Sequence, residues 1–191
     1  MTTIRSKITG TGMYVPAGVV TNDDLAQRMD TSDEWIRQRS GIAERRHVDG
    51  TETPADLALQ ASQRALEAAG VGVNEIDAII LATLSPQHDF PGTSFFLHER
   101  LGAPEIPCFD LRAQCSGFLY SLATADAFIR SGQMRRILVV GAEVHSTGLE
   151  FSTRGRDTAV LFGDGAGAVV LEVNDDADDL SGLLALRMHA Q

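Results

Sequence analysis

Two short segments constrain the fold more than anything else in the chain. Asp77-Ala78-Ile79-Ile80-Leu81-Ala82-Thr83 and Arg136-Ile137-Leu138-Val139-Val140 each carry an apolar run with no polar alternation. Runs this short fit strands buried on both faces, and such strands need helices on both sides of their sheet. The intervening segments supply them. Thr53-Pro54-x-Asp56 opens a helix through Ala69, with Leu57, Ala61, Ala65 and Ala68 as its apolar stripe and Gly70 as its stop. Residues 92–100 predict a shorter helix before Gly102, and residues 116–130 a long one that is apolar around most of its circumference and so expected to be buried. Residues 106–111 read as a strand, and residues 8–15 as a first strand running into a Gly-rich loop. Asn22 is expected to cap a helix over 23–29, and Thr31 with Glu34 to form the capping box of a helix over 33–40 that Gly41 ends. Residues 159–162 and 168–173 read as a β pair around Gly163-Asp164-Gly165-Ala166-Gly167. Alternating strands and helices predict an α/β fold with a largely parallel sheet.

The chain has 191 residues, 43% of them hydrophobic, which suits one sizeable packed domain. A formal charge of -10 argues against nucleic-acid binding. Two cysteines without a spacing pattern predict a reducing compartment and no disulfide framework. Residues 1–7 are polar and charged with no apolar stretch behind them, so no signal peptide is expected, and no run approaches the roughly 20 apolar residues of a membrane span. The expectation is a soluble cytoplasmic protein. Asn174-Asp175-Asp176-Ala177-Asp178-Asp179 reads as an acidic linker, and residues 183–189 as the start of a strand that the end at Gln191 cuts short.

Cys115 lies where the strand over 106–111 gives way to the long helix. The N-terminal N–H groups and positive dipole end of that helix point at it, a placement that favours a thiolate and offers donors to an oxyanion. Ser116-Gly117 keeps the first turn small. A small hydrophobe at a corner remains the other reading, because cysteines are often buried and inert. Cys108, inside the strand with no helix start beside it, reads as core filler. Trp35 and Arg39, four residues apart on one short helix, share a face. An indole there suits stacking on a base and a guanidinium suits gripping phosphate, although an anchor for the helix explains Trp35 as well.

The stretches GTGMYVP, TNDDL, DTSDEWIRQRSGI, HDFPG, FDLRAQCSGFLY, ILVVGAEV and FGDGAGAVVLE, in this order, resemble the β-ketoacyl-acyl-carrier-protein synthase III family of the thiolase superfamily. The resemblance runs from about Ile8 to Glu172 and implies a thiolase-like layered αβαβα fold of two similar halves. Residues 1–173 would be the N-terminal half carrying the nucleophile, and 174–191 a linker and first strand of an otherwise absent C-terminal half. The implied activity is acyl transfer. Cys115 takes an acyl group from acyl-CoA, and the thioester then undergoes decarboxylative Claisen condensation with malonyl-acyl-carrier protein in fatty-acid or polyketide initiation. The resemblance implies coenzyme A contacts at Trp35, Arg39, Arg156 and Thr31. Arg154 lies close to Arg156, and capping explains Thr31 equally well. Phe90 matches the residue that closes the acyl tunnel of the neighbouring subunit in a homodimer, with ordinary loop packing as its other reading. Acyl-CoA and acyl carrier protein are the implied partners, with no tightly bound cofactor. The Gly163-x-Gly165-x-Gly167 run has no helix behind it, so it is not read as a phosphate cradle, and the resemblance implies a tight turn there, which glycine permits.

The family's chemistry also uses a His and an Asn from the second half. None of His47, His88, His98, His145 or His189 stands in a matching stretch, and none has metal-ligand spacing, so no metal site is expected. The expectation is a chain incomplete by itself, whose C-terminal half is supplied as a separate chain. A non-catalytic partner subunit or inactive fragment is the alternative. Gln114 occupies a position where a small residue is usual, and either narrows the site or faces away. Carrier proteins are acidic, so their docking patch must be local or lie on the absent half.

Overall fold

Both apolar runs form strands, and the segments between them make the layers that cover them. The computed structural model describes residues 4–174, 176 and 178–189. Residues 1–3, Asp175, Ala177 and the last two residues, parts of the expected polar N-terminus, acidic linker and C-terminal strand, lie outside the described residues. In chain order the elements are β1 (Arg5–Tyr14), β2 (Gly18–Thr21), α1 (Asn22–Ala26), α2 (Asp33–Ser40), β3 (Glu44–His47), α3 (Pro54–Ala69), β4 (Ala78–Ala82), α4 (Thr93–Leu101), β5 (Cys108–Leu111), α5 (Gly117–Arg130), β6 (Arg136–Val144), α6 (Arg156–Ala159) and β7 (Asp164–Asn174). Five strands form one sheet in the order β1-β7-β6-β4-β5, and β2 with β3 makes a separate two-stranded sheet. The expected α/β class holds, with helices covering both faces of the five-stranded sheet.

Each face of the sheet takes alternate residues. Ile79, Leu81, Leu138, Val140, Ala168 and Val170 pack under Ala58, Ala61 and Ala65 of α3 and Leu97 of α4. Ala78, Ile80, Ile137, Val139, Val169 and Leu171 pack under Leu122, Ala125 and Ile129 of α5. All five residues of β4 are buried, which is why the run could not alternate. Strand β1 changes faces partway along. Its register against β7 slips by one residue between Ile8 and Gly10. Before the slip Ser6 faces α5, where its Oγ donates to Asp126 Oδ1 at 2.5 Å. After it Gly10 and Gly12 lie under α3, and a Cβ on Gly12 would stand 2.1 Å from the Ala61 carbonyl oxygen. One extra residue in a strand of period two turns every later side chain over.

Several local expectations are corrected. Residues 10–14 are not a loop, because β1 runs through both glycines to Tyr14. The sheet is mixed: β4 is parallel to β5 and β6, whereas β7 runs antiparallel to both β6 and β1. A parallel return after β6 would need a crossover layer, and that link holds only the four-residue α6 and a shorter turn. The β pair at 159–162 and 168–173 is therefore a short helix and one long strand, and the GDGAG run begins that strand instead of making a tight turn. Thr21, not Asn22, caps α1, through a capping box with Asp24. Ser32, not Thr31, caps α2, accepting from the Trp35 N–H. Ala68 is exposed, and the buried stripe of α3 turns through Ala58, Ser62 and Leu66 instead. Helix α5 is buried on one face only, with Leu119 57% exposed. Residues 183–189 form no strand. Leu183 N–H donates to Ser6 O at 2.8 Å at the β1 edge, and the Tyr120 hydroxyl donates to His189 O at 2.8 Å, but a strand needs a continuous neighbour.

Candidate active site

The turn from β5 to α5 presents Cys115. Strands β4 and β5 run parallel, and Cys115 follows the carboxyl end of β5, the edge at which open α/β sheets place their ligands. A single turn of 3-10 helix, Gln114–Ser116, links β5 to α5. Gln114 has φ of 45°, the one non-glycine residue with positive φ among the described residues. A left-handed conformation costs a residue with a Cβ about 1–2 kcal/mol, and such outliers collect at functional turns. It leaves Gln114 and Cys115 both exposed. Gly117, the first residue of α5, sits so close to β4 that an added Cβ would be 3.0 Å from the Ala82 Cβ. No side chain caps α5, unlike α1, α2 and α3, so the donors of its first turn have no side-chain acceptor.

Cys108 behaves as filler. Its thiol is half-buried against the α3–α4 side of the core, and burial, with Asp110 nearby, pushes its pKa up to about 11. At pH 8 about one Cys108 in a thousand is thiolate, and the thiolate is what alkylating reagents attack. Brief treatment with iodoacetamide at pH 8 is therefore expected to add one adduct, at Cys115. Peptide mapping that found Cys108 labelled first would contradict this.

A second feature forms around Trp35. A cleft of about 300 Å³ is lined by Trp35, Ile36, Arg39, Ser40, Asp157, Val160 and Leu161. The Arg39 guanidinium lies over the indole, 4.1 Å from the ring centroid, and that of Arg156 lies over it at 4.5 Å. Arg39 arrives from one turn along α2, and Arg156 from the start of α6. Arg156 is held by donating from Nη1 to Asp30 O at 2.8 Å, while its Nε is buried without a hydrogen-bond partner. Arg154 turns away to Glu150, 2.8 Å from its carboxylate, with a side chain 87% exposed. Between the two arginines, Arg156 is thus the one at Trp35. Thr31 Oγ1 is buried and partnerless, so capping does not account for it. Phe90 is 90% exposed in the loop between β4 and α4. Neither of these two residues, nor Cys115, lines the Trp35 cleft.

Sequence reasoning missed three polar groups around the site, Asp164 and Arg45 buried and Glu143 partly buried. Glu143 accepts from the backbone N–H groups of Leu84 and Ser85 and from the Ser85 hydroxyl, fixing the start of the loop that leads to Phe90. Asp164 accepts from Val48 N–H, Ser146 N–H and Ser146 Oγ, tying β3 to the end of β6. Arg45, 6% exposed, reaches toward the Trp35 cleft. An acid inside the apolar stretch over 137–144 was the available signal for Glu143, since a carboxylate partly withdrawn from water needs donors.

Comparison with known proteins finds relatives of one family. The family described as 3-oxoacyl-(acyl-carrier-protein) synthase III matches residues 109–191. A β-ketoacyl-(acyl-carrier-protein) synthase III of Erythrobacter litoralis is 49% identical over 98% of this chain and 58% of its own length. Its counterpart from Neisseria meningitidis is 51% identical over 89% of this chain and 53% of its own length. The crystal structure of 3-oxoacyl-(acyl-carrier-protein) synthase III from Aquifex aeolicus superposes with a TM-score of 0.86 at 48% identity, covering 90% of this chain and 55% of that one. The chain thus spans about half the length of the relatives it matches. On sequence and fold together, the chain belongs to the β-ketoacyl-acyl-carrier-protein synthase III family.

Proposed function

We propose that Cys115 is the acyl-accepting thiol of a synthase III-type acyltransferase, loaded from an acyl-CoA whose adenine end occupies the Trp35–Arg39–Arg156 cleft. The observation that carries this reading is an exposed cysteine at the uncapped start of α5, raised by a left-handed Gln114. The Cys115 thiolate attacks the thioester carbonyl, and the first-turn N–H groups of α5 offset charge on the oxygen. The C–S bond to coenzyme A breaks, coenzyme A leaves as its thiol, and an acyl-Cys115 thioester remains. Malonyl carrier protein then loses carbon dioxide, its carbanion attacks that thioester, and a β-ketoacyl carrier protein departs as the thiolate is restored. The resemblance assigns the decarboxylation to a His and an Asn of the second half.

Thr31 enters this reading through the resemblance alone, because its buried hydroxyl does not line the cleft. The exposure of Phe90 supports its reaching into a neighbouring subunit of a homodimer. Both cysteines are free, as a reducing cytoplasm would keep them, and no helix among the described residues is long and apolar enough to cross a membrane. Incubation with acetyl-CoA followed by intact-mass measurement tests the proposal. One acetyl adduct is expected on the wild-type protein and none on Cys115→Ala. If no adduct forms even with a complementary C-terminal half present, the reading fails and the non-catalytic alternative stands.

A further inference from the structure

We propose that Arg45, acting through Asn22, is a positioning residue that sets the two walls of the Trp35 cleft at the spacing coenzyme A requires, an inference that rests on the cleft reading above. The two walls come from separate elements. Helix α2 carries Trp35 and Arg39, while α6 carries Arg156 and continues into Val160, itself a lining residue. Arg45 stands on β3, behind both. Its Nη2 donates to Val160 O at 3.0 Å and to Asn22 Oδ1 at 2.8 Å, and its Nη1 donates to Val20 O at 3.2 Å. Asn22, 1% exposed, donates onward from Nδ2 to Asp33 Oδ1 and to Ile42 O, each at 2.8 Å. Asp33 opens α2 and Ile42 follows its end. One chain of hydrogen bonds therefore runs from the α6 wall through Arg45 and Asn22 to both ends of the α2 wall.

The choice of side chain is informative. Arg45 is a buried cation with no carboxylate paired to it among the described residues, and its Nε is also buried without a partner. Burial lowers its pKa below the usual guanidinium value. A buried charge answered only by neutral acceptors is poor value for stability, and an apolar side chain of similar volume would fill the space at less cost. A guanidinium instead offers a planar fork whose donors hold several acceptors at fixed separations. The backbone makes room for it. Gly163, the first glycine of the GDGAG run, faces β3 so closely that a Cβ would stand 3.1 Å from both the Arg45 Cβ and the Arg46 carbonyl oxygen. That glycine lets β3 approach the link after α6, so the motif serves the cleft from behind.

Trp35 is the only tryptophan of the chain, so its fluorescence reports on the cleft directly. Wild type and Arg45→Met would be compared at 25 °C, well below unfolding, by titration with coenzyme A and by acrylamide quenching of the ligand-free proteins. The expected result is at least tenfold weaker coenzyme A binding and stronger quenching in Arg45→Met, with the far-UV circular dichroism of the wild type. A variant that loses thermal stability yet keeps wild-type affinity and quenching would overturn the proposal, because a purely structural role predicts that pattern. Should Arg45→Met fail to fold, Asp33→Ala breaks the same chain at its exposed end, and several-fold weaker binding with stronger quenching is expected there. Wild-type values in Asp33→Ala would then overturn the proposal. If the wild type itself does not bind coenzyme A, the cleft reading fails, and the quenching comparison alone decides whether Arg45 positions Trp35.

Discussion

Gly12→Val is expected to destabilise the protein by about 4 kcal/mol or more, enough to unfold much of it, since native domains are stable by only about 5–15 kcal/mol. A Cβ at this position would lie 2.1 Å from the Ala61 carbonyl oxygen and 2.5 Å from the Ala65 N, and both are backbone atoms of α3. A flexible side chain could swing aside, but a helix must retreat as a body. In doing so α3 would lift Ala58, Ala61, Ala65 and Leu66 out of the larger of the two sheet-face clusters. Thermal unfolding followed by circular dichroism should show a transition lowered by more than about 10 °C, or an insoluble product. Gly167→Ala is the control. It lies in the same sheet with nothing within 4 Å of its added Cβ and no positive φ, and a change within about 0.5 kcal/mol is expected. A Gly12→Val protein as stable as the control would mean that α3 and β1 are not in contact as described.

Trp35→Ala is expected to weaken coenzyme A binding by roughly 100-fold or more, since stacking of one base on an aromatic ring contributes about 1–3 kcal/mol, or roughly 5- to 160-fold. The loss should exceed that of the stack alone, because the indole also holds Arg39 and Arg156, whose guanidinium groups lie 4.1 and 4.5 Å from its centroid. Calorimetric titration is the measurement, as the variant has no tryptophan left to report. The effect should fall on affinity: at saturating acetyl-CoA the acylation of Cys115 should proceed at close to the wild-type rate, because Cys115 does not line this cleft. Trp35→Phe should recover part of the affinity. Affinity for coenzyme A unchanged in Trp35→Ala would remove the adenine from this cleft.

Arg156 illustrates the limit of reading the chain as a string. The sequence alone left it level with Arg154, two residues away, and the resemblance alone favoured it. Packing separates them: Arg156 is drawn over an indole on α2, while Arg154 pairs locally with Glu150. The GDGAG run was misjudged for a related reason. A glycine-rich run is compatible with a turn, and only pairing of β7 with β6 on one side and β1 on the other makes its last four residues strand. Asn22 and Thr31 were read as caps because each precedes or opens a helix. Thr21 and Ser32 fill those roles instead, and Asn22 is turned inward toward Arg45, far along the chain.

What the sequence determined unaided is what depends on near neighbours and on burial. The helix start at Thr53-Pro54-x-Asp56, the glycine stops at Gly41, Gly70 and Gly102, the wholly buried β4 and the placement of Cys115 at a strand–helix junction were all legible. Each rests on contacts within about four residues or on an unbroken apolar run. The tertiary structure alone decided the reversed β7, the face change in β1, the exposure of one side of α5, and the assembly of Trp35, Arg39 and Arg156 over Arg45. These depend on which distant segments come to lie side by side. A propensity or a period carries no term for that, because the energy belongs to the pair and not to either segment.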